Sequence, residues 1–128
     1  MKAFRFFPSF MVMFLAVFFA AASEVQVLAT PPMSLKLSYN GTSGILNVTV
    51  THPTLFPSSH YIAFIDIKNR GRTVKSITCT SQPTKTSFTY SYPVAACEGD
   101  IIEVTATCSF FGSKTSSLTI LPSPITTK

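Results

Sequence analysis

The chain has 128 residues, 46% of them hydrophobic and 12% charged, with a formal charge of +5. Two of its cations, Lys2 and Arg5, stand in an N-terminal segment that reads as removable, and without them the charge falls to +3. About a hundred residues with so mild a basic balance make one domain with one core and do not point to nucleic acid as a partner.

Met1–Arg5 is basic, Phe6–Phe19 is almost unbroken apolar sequence, and Ala20-Ala21-Ala22 offers a small-residue cleavage site. That order predicts a secretory signal peptide over residues 1–22 and a secreted, extracellular mature protein with no membrane span after cleavage; an uncleaved anchor is the rival reading. Export makes the sequons Asn40-Gly41-Thr42 and Asn47-Val48-Thr49 candidate glycosylation sites at Asn40 and Asn47. Residues 23–32 form a leader closed by Thr30-Pro31-Pro32, residues 33–121 the domain, and residues 122–128 a flexible tail.

Within the domain the apolar period is two. Met33, Leu35, Leu37 and Tyr39 alternate with Ser34, Lys36 and Ser38, and after the Gly-bearing loop 40–44 Leu46, Val48 and Val50 alternate with Asn47, Thr49 and Thr51. This is a hairpin of half-buried strands with Asn47 facing outward. His52–Ser59 is a loop held by Pro53 and Pro57, and Tyr61–Ile67 is apolar at nearly every position, which predicts a central strand covered on both faces. A charged turn at 68–72 leads to a β-branched strand over Thr73–Thr80; after a turn around Pro83, Phe88, Tyr90 and Tyr92 mark the next. Ile102, Val104, Ala106 and Cys108 share one face of a sixth strand, and Thr115–Leu121 is the seventh after a turn at Gly112. Seven short strands with regular turn signals predict an all-β fold, a single antiparallel immunoglobulin-like β-sandwich.

The residues able to carry chemistry are few. Glu98, Asp100 and Glu103 form no catalytic carboxylate pair, and there is neither a Gly-rich phosphate loop nor a Ser/His/Asp set. Both histidines, His52 and His60, lie in one nine-residue stretch before the central strand, and Cys108 ends the sixth strand. Two imidazoles and a thiolate suit iron, zinc or copper and leave coordination positions open. The blander readings are a loop histidine, a histidine packed at a strand entrance and an inert buried thiol. Three cysteines are an odd number for an oxidising compartment. Pairing Cys79 with Cys97 leaves Cys108 free and stabilises by about 3 kcal/mol; pairing Cys97 with Cys108 removes the sulfur donor. Lys68, Arg70 and Arg72 form a solvated turn, or attract a small anion if they lie near the site. Phe110-Phe111 reads as core, and Tyr90 and Tyr92 as core edge.

His52-Pro53, then His60-Tyr61-Ile62 opening a strand, then Val104-Thr105-Ala106-Thr107-Cys108-Ser109-Phe110-Phe111-Gly112 resemble the desulfoferrodoxin or neelaredoxin family of superoxide reductases over roughly Leu35–Leu121. The resemblance implies a seven-stranded immunoglobulin-like sandwich and a mononuclear non-haem iron held by four equatorial histidines and an axial cysteine thiolate. It also implies superoxide as the small anion reduced and an electron donor that this sequence does not identify. Carried over, His52 and His60 match two equatorial ligands and Cys108 the axial thiolate. The family's histidine three residues after that cysteine is Phe111 here, and no histidine precedes His52, so two imidazoles of the pattern are missing. Two functional readings stand at this point: a secreted desulfoferrodoxin-like iron-binding domain with a degenerate superoxide reductase-type site, and a metal-free secreted immunoglobulin-like binding module.

Overall fold

The computed structural model describes residues 31–122. The expected signal peptide at 1–22, the leader as far as residue 30 and the tail beyond residue 122 lie outside the described residues. Seven strands follow in chain order: β1 (Ser34–Asn40), β2 (Ile45–Thr51), β3 (Ile62–Asn69), β4 (Arg72–Thr78), β5 (Ser87–Pro93), β6 (Ile101–Cys108) and β7 (Ser113–Thr119). Every pairing is antiparallel, in a three-stranded sheet β1-β2-β5 and a four-stranded sheet β4-β3-β6-β7. Among the described residues there is no helix. The expected two-sheet antiparallel sandwich is the fold.

Period-two patterning decides which faces meet. Leu46, Val48 and Val50 of β2 are fully buried, with Leu35 and Phe88 from the flanking strands. Facing them are Ile65 and Ile67 of β3 and Ile102, Val104 and Ala106 of β6, also fully buried. Each such aliphatic side chain removed from water contributes about 1.5–3 kcal/mol before entropy is charged against it. Tyr90 and Tyr92 pack at the edge of this core, as expected. Asn47 is on the outer face and half-buried, its Oδ1 accepting from Ser91 Oγ at 2.6 Å. Asn40 is exposed and its Oδ1 closes the β1–β2 turn by accepting from the Thr42 and Ser43 N–H groups.

The prediction for β3 needs correcting. It is central, between β4 and β6, but only one face is covered, and Phe64 is 48% exposed. A sandwich has two layers, so each sheet keeps a solvent face. Its continuous apolar run comes in part from a β-bulge. Ile62 pairs with Cys108 and Phe64 with Thr107, so Ala63 is an inserted residue, and both Ile62 and Ala63 point inward. A bulge bends its strand, and this one sits where β3 enters the sheet beside His60.

The β3–β4 turn has positive φ at both centre positions, Arg70 (50°) and Gly71 (77°), the backbone of a tight two-residue hairpin. Arg70 Nε contacts Asp100, whose carboxylate also accepts from the Cys97 backbone N–H at 3.0 Å and from Asn69 Nδ2 at 2.8 Å. The Cys97 N–H, the Asn69 amide and Arg70 together hold the Asp100 carboxyl down to about 2. This cluster closes one end of the sandwich, and the histidines lie at the other.

Candidate metal centre

His52 follows β2 directly and is fully buried. Its N–H donates to Thr86 O at 2.8 Å, prolonging the β2–β5 ladder by one step, and Thr54 N–H donates to Lys85 O at 2.8 Å. Pro53, between these two, has no donor to lose. The Gln82 side chain grips the histidine twice. Its Nε2 donates to His52 O and to Thr84 O, both at 2.8 Å, and its Oε1 lies 2.8 Å from His52 Nδ1. Gln82 is itself buried.

His60 ends a compact turn, its N–H donating to Phe56 O at 2.8 Å. The turn is braced by Thr54 Oγ1, which accepts from Phe56 N–H at 3.1 Å. The His60 and His52 rings are nearly perpendicular, with centroids 4.8 Å apart, and the His60 ring also stacks on Phe110, again at 4.8 Å. Its Nε2 is buried and accepts or donates no hydrogen bond among the described residues. Burial, with the neighbouring His52 as a smaller cause, lowers its pKa below 6.5. The ring is therefore held neutral, the form that ligates a metal.

Cys108 is the last residue of β6 and is buried. A narrow turn follows. Cys108 N–H donates to Gly112 O at 2.9 Å, Ser109 N–H to Tyr61 O at 2.8 Å, and Phe110 N–H to Cys108 Sγ at 3.5 Å. Gly112 has φ 87°, and a Cβ placed there would stand 2.7 Å from Pro31 Cβ. Glycine is required here for conformation and for the close approach of the N-terminal segment.

The structure thus brings His52, His60 and Cys108 together, one donor atom from each lying within 4.8 Å of the others. Ligands at 2.1–2.3 Å from one ion stand about 3–4.4 Å apart. A pair at 4.8 Å would close by about 0.4 Å to stand opposite each other across the ion, and by about 1 Å or more to sit as neighbours around it. The orphaned His60 Nε2, the buried His52 imidazole beside it and a thiol with a backbone N–H on its sulfur all fit a metal with nitrogen and sulfur preference.

Other sequence expectations fare differently. Cys79, Cys97 and Cys108 are all free thiols, so neither proposed disulfide is present. Cys79 N–H bonds Ala63 O at the start of β3, whereas Cys97 packs beside Asp100 and Asn69 at its end. Six residues of strand, about 20 Å, separate these anchor points, far beyond the reach of a disulfide. Lys68, Arg70 and Arg72 lie at the far end too, about 23 Å along β3 from the centre, so they do not line an approach to it. Phe110 and Phe111 are not core: they are 50% and 67% exposed, and Phe110 stacks on His60. Leu55 and Phe56 are also exposed, and with Pro53, Thr54, His60, Lys85 and Thr86 they line an open groove beside the centre. Of the described residues, all four acids (Asp66, Glu98, Asp100 and Glu103) lie on the middle or far part of the sandwich with Lys68, Arg70, Arg72 and Lys75. Lys36, Lys85 and Lys114 stand on the half that carries the centre. Sequence reasoning missed Gln82 and the role of Phe110; a lone Gln before Pro83 reads as a surface turn, and no local pattern marks it.

Fold and donor set define a β-sandwich domain with a candidate mononuclear metal centre at one end. No family model matches the chain, and no curated protein matches it. Among solved structures, a superoxide reductase from Nanoarchaeum equitans aligns with 69% of this chain and 91% of its own, at 12% identity and a TM-score of 0.39.

Proposed function

We propose that this chain is an exported iron-binding domain whose His52, His60 and Cys108 hold one non-haem iron, with superoxide as the small anion it reduces. The observation that carries the reading is the convergence of two imidazoles and a thiol within 4.8 Å at one end of the sandwich. The sequence resemblance described above selects iron and superoxide from among the metals and oxidants this donor set accepts. Zinc and copper compete for the same donors.

Iron held by His52, His60 and Cys108 would supply one-electron chemistry, which with two protons would take superoxide to hydrogen peroxide given an external one-electron reductant. The protein's own contributions follow from the geometry. His52 is oriented by Gln82, His60 is kept neutral by burial, and Cys108 is aimed by the turn that Gly112 closes. Phe110 stacks on the His60 ring. Lys85, on the groove wall with His60, gives the approach a positive charge.

The test is metal content of the thiol-reduced chain loaded with ferrous iron, and its optical spectrum after the bound iron is oxidised to the ferric state. One equivalent of iron and a visible thiolate-to-ferric band are expected, with the band lost in Cys108→Ser. A wild-type chain that takes up no iron when offered ferrous salt anaerobically refutes the reading. A separate superoxide-consumption assay then decides turnover.

A further inference from the structure

The centre contains a side chain outside the donor set that determines which atom His52 can offer. Gln82 Nε2 donates to two carbonyls, His52 O and Thr84 O. That fixes the orientation of the amide, because only the NH2 end can donate to carbonyl oxygen. Its Oε1, an acceptor only, therefore faces His52 Nδ1 at 2.8 Å. The hydrogen bond forms only if Nδ1 carries the proton, and the lone pair of the neutral ring then resides on Nε2.

We infer that Gln82 is a positioning residue that locks His52 in the Nδ1-protonated tautomer and so presents Nε2 to the metal. The inference rests on the proposed metal centre for its functional meaning but not for its structural content. Gln82 does three things at once from a buried position. It chooses the tautomer, fixes the ring about its χ angles, and ties the His52 backbone to the 82–86 turn. Partners of this kind behind a ligand imidazole raise ligand basicity, and their removal typically costs 10–100-fold in metal affinity. Gln82→Glu keeps the acceptor but replaces a neutral oxygen with a carboxylate. It strengthens the bond to Nδ1–H, makes the imidazole a better donor to the ferric ion, and lowers the reduction potential. It also gives up both bonds to carbonyls. Gln82→Leu keeps the bulk and removes every polar contact.

The experiment has two arms on the full chain. In the metal-free protein, nitrogen NMR of the two imidazoles at a pH above 7 reads the His52 tautomer directly. Wild type is expected to show Nδ1–H with an unprotonated Nε2, and Gln82→Leu a mixture or the opposite form. In the metal arm, affinity for ferrous iron is expected to fall 10–100-fold in Gln82→Leu, while Gln82→Glu retains binding with a reduction potential below that of wild type. Nδ1 unprotonated in wild type overturns the inference, as does unaltered affinity in a folded Gln82→Leu chain. A loss of thermal stability without any change of tautomer or potential assigns Gln82 a structural role only and also overturns it. If no variant and no wild-type chain binds iron, the proposed function fails while the NMR arm still decides the tautomer lock.

Discussion

Three glycines separate backbone strain from steric clash, and one of them bears on the metal centre. Gly41 is outside the positive-φ region, with nothing within 4 Å of an added Cβ; Gly71 has φ 77° and again open space; Gly112 has φ 87° and Pro31 Cβ 2.7 Å from an added Cβ. Gly41→Ala is expected to be neutral or to stabilise by up to about 1 kcal/mol through the unfolded chain. Gly71→Ala carries strain alone, about 1–2 kcal/mol. Gly112→Ala adds to that strain a contact closer than van der Waals distance, which the N-terminal segment at Pro31 relieves only by moving. A total of about 2–3 kcal/mol follows, with Pro31 set free. For a domain of this size that is a fall in Tm of about 8–24 °C. Equilibrium denaturation of the three variants measures the series. The order Gly112 > Gly71 > Gly41 with unchanged m-values is the expected result. A Gly112→Ala cost no larger than that of Gly71→Ala refutes the close approach of Pro31, and a cost below about 0.5 kcal/mol refutes the turn geometry itself. Gly112 O also holds the Cys108 N–H, so iron affinity should fall in Gly112→Ala and remain in Gly71→Ala.

Other perturbations have definite outcomes. Asp100 is held near 2 against 3.8 in the unfolded chain, so its contribution to stability is present above pH 3.8 and lost as pH falls through about 2; Asp100→Asn should flatten that part of a urea-midpoint against pH curve. In the metal-free chain the lowered pKa of His60 means the unfolded state takes up its proton first as pH drops below 6.5. Stability should decline in that range, and the decline should be smaller in His60→Gln. Thiol labelling of the native chain should proceed fastest at exposed Cys97, more slowly at Cys79, whose thiol pKa burial raises, and slowest at buried Cys108, with three thiols counted after denaturation. Val48→Ala, at a fully buried position facing the second sheet, should cost about 1.5–3 kcal/mol by chemical denaturation without altering iron uptake.

Strand content was legible because alternation is a direct print of a one-sided core. Leu46, Val48 and Val50 against Asn47, Thr49 and Thr51 leave no other reading. The two-sided expectation for β3 failed because a bulge at Ala63 turns two consecutive residues inward, and no pattern in the sequence marks it. His52, His60 and Cys108 were singled out by residue type and by words shared with a known family, while their meeting depended on the pairing of Ile62 with Cys108, a contact between distant positions. The disulfide expectation failed for the converse reason: eighteen positions of separation say nothing about which end of a strand each cysteine reaches. Phe110 and Phe111 were misassigned because aromatic content suggests burial, whereas the tight turn to Gly112 leaves both rings exposed.

The uneven placement of charge gives the folded body a dipole. The acids and four of the cations balance on the middle and far parts, so the excess of three positive charges among the described residues belongs to Lys36, Lys85 and Lys114 on the half bearing the histidines. A diffusing anion is turned toward that pole before it touches the surface, and the pull fades beyond a Debye length of about 8 Å at physiological ionic strength. Encounter rates at the two histidines should therefore fall as salt is added, while a neutral molecule arrives at the same speed in any buffer.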